Sequence, residues 1–142
     1  MKTETAELIS IAYLKPPSDW GLTGLHAHHE MVVVLSGRLH AQIGGQKCTG
    51  VPGDILFYRA GVAHAEESDR NDPLVIFGIA FRCEDAPTDE KSICIADSRG
   101  RIRQICEWLT EETRWPEEPT NPFANTLFRA LIAEWNMLAG RT

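Results

Sequence analysis

The chain has 142 residues, 43% of them hydrophobic and 24% charged, with a formal net charge of −6 and a pI near 5.3. That balance fits one folded domain with its own core and excludes a disordered chain. The acidic excess makes it a poor electrostatic partner for nucleic acid or an anionic membrane surface, and no apolar run approaches the ~20 residues that cross a bilayer.

The opening "MKTETAELIS" has no long apolar core and no small-residue cleavage site, so it does not read as a signal peptide. Cys48, Cys83, Cys94 and Cys106 are widely spaced, without a C-x-x-C pair. This predicts free thiols in a reducing, cytoplasmic setting and argues against a cysteine zinc site.

The first predicted strand is "ELISIAYL" (7–14), and "PPSDWGLTG" (16–24) reads as a turn-rich connection. "EMVVVLSG" (30–37), "RLHAQIGG" (38–45) and "QKCTGVPG" (46–53) follow. Gly44-Gly45 between two short strands is a hairpin signal, because glycine accepts the positive φ such turns demand. "DILFYR", "VAHAEE" and "LVIFGIAFR" (74–82) complete the set. Short strands with turns this frequent predict an antiparallel sandwich or barrel. Val32, Val33, Val34 and Leu35 do not alternate with polar residues, so this strand is expected to be covered on both faces.

Near residue 95 the period becomes helical. Within 98–113, Ile102, Ile105, Cys106 and Leu109 form one apolar stripe, with Asp97 or Ser98 as N-cap. "RWPEEPTNP" (114–122) then breaks the chain with its three prolines. Asn121-Pro122 reads as a cap and first-turn proline, and Gly140 as a stop. Between them Ala124, Phe128, Leu131, Trp135 and Leu138 share a face that Leu127 and Ile132 widen. The layout is therefore a β-barrel over 1–95 and a two-helix element over 96–142. The helices cover the outer strand face, pair with another subunit, or do both.

The stretch "HAHHE" (26–30) holds three of the chain's five histidines. On a regular strand His26, His28 and Glu30 project together and His29 to the other side. Two imidazoles and a carboxylate suit Zn, Fe, Ni or Mn. The blander alternative has His26 capping or lining a pocket while His28 and His29 sit at a solvated strand end. Downstream, in "PGDILFYRAGVAHAE" (52–66), Pro52-Gly53 suits a type II turn, Gly61 marks a second turn, and His64 opens the next strand. His64 is a further inward-facing ligand or a hydrogen-bonded core histidine.

These two segments resemble the paired motifs of the cupin superfamily. Glu30, six residues and Gly37 match the second half of the first motif. Gly53, five residues, Arg59, one residue, Gly61, two residues and His64 match the second, with Arg59 in place of its proline and Ser68 in place of its asparagine. Fifteen residues separate Gly37 from Gly53, and the resemblance covers about residues 20 to 82. Counted back from Glu30, the cupin spacing puts the second motif histidine at His26 and the first at Gly24. The resemblance implies a mainly β, antiparallel barrel (a double-stranded β-helix) followed by two amphipathic helices.

The whole layout is similar to the N-terminal sensor and dimerisation domain of the arabinose-regulator (AraC) family. That likeness implies a small-molecule effector in the barrel, contacted by His26, Glu30, Tyr58, Arg59 and His64, with His28 nearby. Tyr58 or Phe57 and the "VIFGIAF" strand would form the apolar wall. It also implies a homodimer held by Ile102, Ile105, Leu109, Phe128, Leu131 and Trp135. A helix-turn-helix domain normally follows in that family; without one, this chain alone is expected not to bind DNA. The alternative is a metal-dependent cupin enzyme, a dioxygenase, isomerase or decarboxylase, with His26, His28, Glu30 and His64 as ligands to a divalent Zn, Ni, Fe or Mn. A third is a storage or structural cupin.

Overall fold

A computed structural model describes residues 1–17, 21–113 and 121–140. The described strands are β1 (Glu7–Leu14), β2 (Gly21–Gly24), β3 (His29–Ser36), β4 (Leu39–Ile43), β5 (Gln46–Gly50), β6 (Asp54–Tyr58), β7 (His64–Ser68), β8 (Val75–Arg82) and β9 (Cys94–Ala96). Helices α1 (Arg101–Glu112) and α2 (Pro122–Leu138) follow. One sheet has the order β1-β8-β3-β6-β9 and faces a second with the order β2-β7-β4-β5; every pairing is antiparallel. The mainly β fold with two C-terminal helices is the one the sequence predicts.

The unbroken apolar run of β3 has the expected cause. Met31 and Val33 point outward beneath the helices, beside Ile55, Phe57, Phe77, Ile79 and Phe81. Val32 and Val34 point inward, with Leu56, Tyr58 and Ile76. Both faces of β3 and β6 are thus sealed, so alternation never appears in their sequences. The Gly44-Gly45 hairpin is present, with φ of +54° and +86°.

Three local readings need correction, the last of them the helix faces taken up below. The segment read as a turn-rich connection contains β2, which pairs with β7 from Gly21 to Gly24; its short length and two glycines hide a strand whose backbone bonds, rather than side chains, hold it. Helix α1 starts at Arg101, after Gly100 at φ +67°. Asp97 still serves the helix: its carboxylate accepts the Ile102 and Arg103 N–H groups at 3.3 and 3.0 Å, from outside the helix. The Pro-rich break over 114–120 lies outside the described residues. Asn121 caps α2 as predicted, accepting the Ala124 N–H at 2.7 Å ahead of Pro122.

The third correction concerns the helix faces. Ile102, Ile105, Leu109, Phe128, Leu131 and Trp135 are each at most 8% exposed within the single chain. They form the core between the helices and the outer face of the five-stranded sheet, where Trp135 lies 5.8 Å from the Phe57 ring. Burial of each such side chain is worth about 1.5–3 kcal/mol to the fold. This apolar stripe therefore holds the helices to the barrel and is not free to hold a second subunit. Among the described residues, the large apolar side chains that the helices leave in solvent are Trp108, Phe123 and Met137.

A backbone joint links barrel and helices. The Gly53 N–H donates to the Val34 carbonyl at 2.9 Å, and the Asp97 N–H to the Gly53 carbonyl at 2.8 Å. Just beyond, Arg99 grips the buried Glu134 of α2 with two bonds of 2.9 Å. No described helix is long and apolar enough to cross a membrane.

Candidate functional site

The polar end of the barrel interior gathers side chains from four segments. Glu30 faces inward from β3 and sits opposite Tyr58 of β6. His64 and Glu66 face inward from β7 and are 5% and 6% exposed. His26 and His28 stand on the bend before β3 rather than on a strand, because β3 begins only at His29. The two rings nevertheless stack, 4.3 Å apart and parallel within 2°.

The three residues predicted to converge do so. Ligand atoms of His26, His28 and Glu30 lie within 4.8 Å of one another. The His26 Nδ1–H donates to the His28 carbonyl at 2.8 Å, which in the neutral ring leaves the lone pair on Nε2. That Nε2 lies 3.1 Å from Glu30 Oε2, but not in line for a hydrogen bond, and has no other partner. A nitrogen lone pair and a carboxylate oxygen at this distance repel unless a proton or a cation lies between them. Burial raises the Glu30 carboxyl above its ordinary range, an effect larger than the opposing pull of His26. Burial also lowers the His28 imidazole, with His26 and Arg82 adding like charge. The donor set fits a divalent metal: two nitrogens and one carboxylate, with the far side of one imidazole held by a carbonyl.

His64 joins the cluster without joining that ligand group. Its ring packs against Tyr58 at 4.5 Å and His26 at 4.9 Å. Its Nδ1 is buried without a hydrogen bond of good geometry, and burial lowers its pKa, with His26 as the second cause and the Val62 backbone opposing. Gly24 explains the ring's position: a Cβ there would come within 3.0 Å of His64 Nε2.

Glu66 was not singled out from the sequence. Its carboxyl accepts the Tyr58 hydroxyl at 2.5 Å. Burial pushes its pKa up to about 7, with the nearby Glu30 adding to the rise and Tyr58 and His26 opposing it. Burial, followed by the charge of Glu66, raises the Tyr58 phenol. The signal was available, since period-two alternation in "HAE" puts Glu66 on the face of His64.

Other expected pocket residues stand elsewhere. Phe57 faces the helices. Arg59 lies two positions on, away from the barrel interior, and lines a separate cleft of about 240 Å³ with Val62, Asp89 and Ile93. The strand β8 gives Ile76 to the interior, while Phe77, Ile79 and Phe81 face the helices. His29 is structural: its Nδ1 accepts the Ala60 N–H at 2.9 Å and its Nε2–H donates to the Cys83 carbonyl at 3.3 Å.

Residues 14–80 match the family model described as the Cupin domain, and the two facing antiparallel sheets are a cupin fold. No curated protein matches the sequence significantly. Among solved structures, a protein of unknown function from Rhizobium leguminosarum is 22% identical, with a TM-score of 0.48 over 56% of this chain and 83% of its own. A predicted oxalate decarboxylase from Thermotoga maritima is 20% identical, with a TM-score of 0.49 over 54% of this chain and 68% of its own. An RmlC-like cupin from Shewanella frigidimarina is 17% identical, with a TM-score of 0.45 over 56% and 78%. These likenesses are confined to part of the chain and transfer no activity to it.

Proposed function

We propose that the chain is a small-molecule-sensing cupin module of the arabinose-regulator type, with its ligand site at the polar end of the barrel. The observation that carries this reading is the cluster of buried polar groups there, in which His26 Nε2 meets only the Glu30 carboxylate, at 3.1 Å and out of line, and His64 Nδ1 makes no hydrogen bond of good geometry. Each such orphan costs about 1–3 kcal/mol, a cost that a bound ligand removes. His26, His28 and Glu30 would hold a divalent Zn, Ni, Fe or Mn, which supplies a Lewis-acid point for a ligand oxygen. Tyr58, His64 and Glu66 line the remainder and orient the ligand by hydrogen bonds. If a second subunit pairs through the helices, its contacts fall on Trp108, Phe123 and Met137, since the opposite stripe is buried in the core.

Equilibrium dialysis against Zn, Ni, Fe(II) and Mn, followed by thermal melts with small acids and sugars, tests the reading. One metal per chain is expected, bound at least ~10-fold more weakly in His26→Ala and Glu30→Ala, together with stabilisation by one ligand class. Uptake of none of the four ions, with no stabilising ligand, defeats it. A second reading has its own support: Glu66, near 7, could act as a general acid or base beside the metal ligands. That enzyme reading requires Glu66→Gln to abolish turnover while metal binding survives.

A further inference from the structure

The β2-β7-β4-β5 sheet carries an open trough of about 850 Å³, lined mostly by residues of its outer face together with Ala41, Cys48 and Glu66. Antiparallel register sets its residues in two rows. One row is Gly21, Glu67, His40 and Thr49; the next is Thr23, Ala65, Gln42 and Lys47. Glycine, alanine and threonine keep most of the β2-β7 half shallow, with Glu67 beside His40, and the longer side chains of β4 and β5 form a wall.

His40 stands in that wall with a partner on each nitrogen. Nε2 is 2.7 Å from Asp69 Oδ1, and Nδ1 is 3.1 Å from Thr49 Oγ1. A carboxylate only accepts, so in the neutral ring the proton sits on Nε2 and the Nδ1 lone pair accepts the Thr49 hydroxyl. This is a hydroxyl, a base aimed at it, and a carboxylate that fixes the base's tautomer, the arrangement that activates an oxygen nucleophile. Thr49 is exposed on the trough side, so a substrate reaches it without opening the barrel. Gln42 and Lys47, in the adjoining row, bring N–H donors to the same wall. None of these residues belongs to the histidine site.

We propose that this trough is an acyl-accepting site for small activated carboxylic esters, with Thr49 as nucleophile, His40 as general base and Asp69 as positioning residue. It goes beyond the sensing function and does not depend on it. As Thr49 Oγ bonds to the ester carbonyl carbon, its proton passes to His40 Nδ1. The ester C–O bond then breaks, and the leaving oxygen takes the bonding pair and that proton. Acyl-Thr49 remains. Water attacks it by the reverse route, with His40 accepting the water proton and returning it to Thr49 Oγ as the carboxylic acid departs.

The test treats the full chain with p-nitrophenyl acetate and follows p-nitrophenolate release alongside peptide mass mapping. Acetyl is expected on Thr49, lost in Thr49→Val and kept in Thr49→Ser; both variants suit a strand. His40→Gln is expected to slow release about 100-fold, within the usual range for removal of a general base. For Asp69 the readout is the nitrogen resonances of the His40 ring. They should report an Nε2–H tautomer in the native chain, lose it in Asp69→Asn as acylation falls, and regain it in Asp69→Glu. Acetyl confined to lysines, release unchanged in His40→Gln, or a burst that survives Thr49→Val overturns the proposal.

Discussion

Replacing Glu66 by glutamine should remove a specific part of the protein's pH-dependent stability. In the folded chain the Glu66 carboxyl titrates at about 7 against an ordinary value of 4.5, chiefly because it is buried. Between those two values the native state holds a proton that the unfolded chain has lost, so stability falls as pH rises through that window. At about 1.4 kcal/mol per pH unit, full ionisation of Glu66 costs the fold about 3 kcal/mol. Glutamine keeps a carbonyl to accept the Tyr58 hydroxyl but cannot ionise. Urea unfolding of both proteins at pH 5 and pH 8, with a chelator to exclude metal, isolates the effect. The native chain should lose about 2.5 kcal/mol more than Glu66→Gln between the two conditions, since at pH 5 the unfolded carboxyl is already partly ionised and every other group is common to both proteins. Parallel pH profiles for the two proteins would refute the assignment of a proton to Glu66.

At Gly24, substitution by alanine places a methyl group 3.0 Å from His64 Nε2 and 3.2 Å from its Cε1. With Tyr58 stacked nearby, the ring must turn, at a cost of about 1–3 kcal/mol; unchanged His64 ring resonances would contradict that packing. Asp97→Ala removes the acceptor for two N–H groups at the start of α1 and should cost about 1 kcal/mol. Amide exchange should rise at Ile102 and Arg103, and unaltered protection there would count against the cap.

The β architecture was legible because strands buried on both faces leave continuous apolar runs, as in Val32–Val34, and because Gly44-Gly45 and Pro52-Gly53 punctuate them. The two helices were legible from their stripes. What those stripes pack against was not, since a helix spacing is the same whether the cover is a sheet of the same chain or a second copy. Strand β2 was hidden because its identity lies in backbone pairing, which glycine-rich sequence does not advertise. The convergence of His26, His28 and Glu30 was predicted on strand spacing, but it is achieved by a bend that the Nδ1 bond of His26 to the His28 carbonyl helps hold. Arg59 was drawn into the site by motif position alone, and side-chain alternation along β6 places it on the other side.

The joint at Gly53 and Asp97 ties the strand bearing Glu30 to the first turn of α1 by one series of hydrogen bonds. Val34, at the other end of the same strand, holds Gly53; Gly53 holds Asp97; and Asp97 holds the amides that begin the helix. The helix at the end of that series carries the half-exposed indole of Trp108. A barrel strand and a surface helix are thus three hydrogen-bonded steps apart.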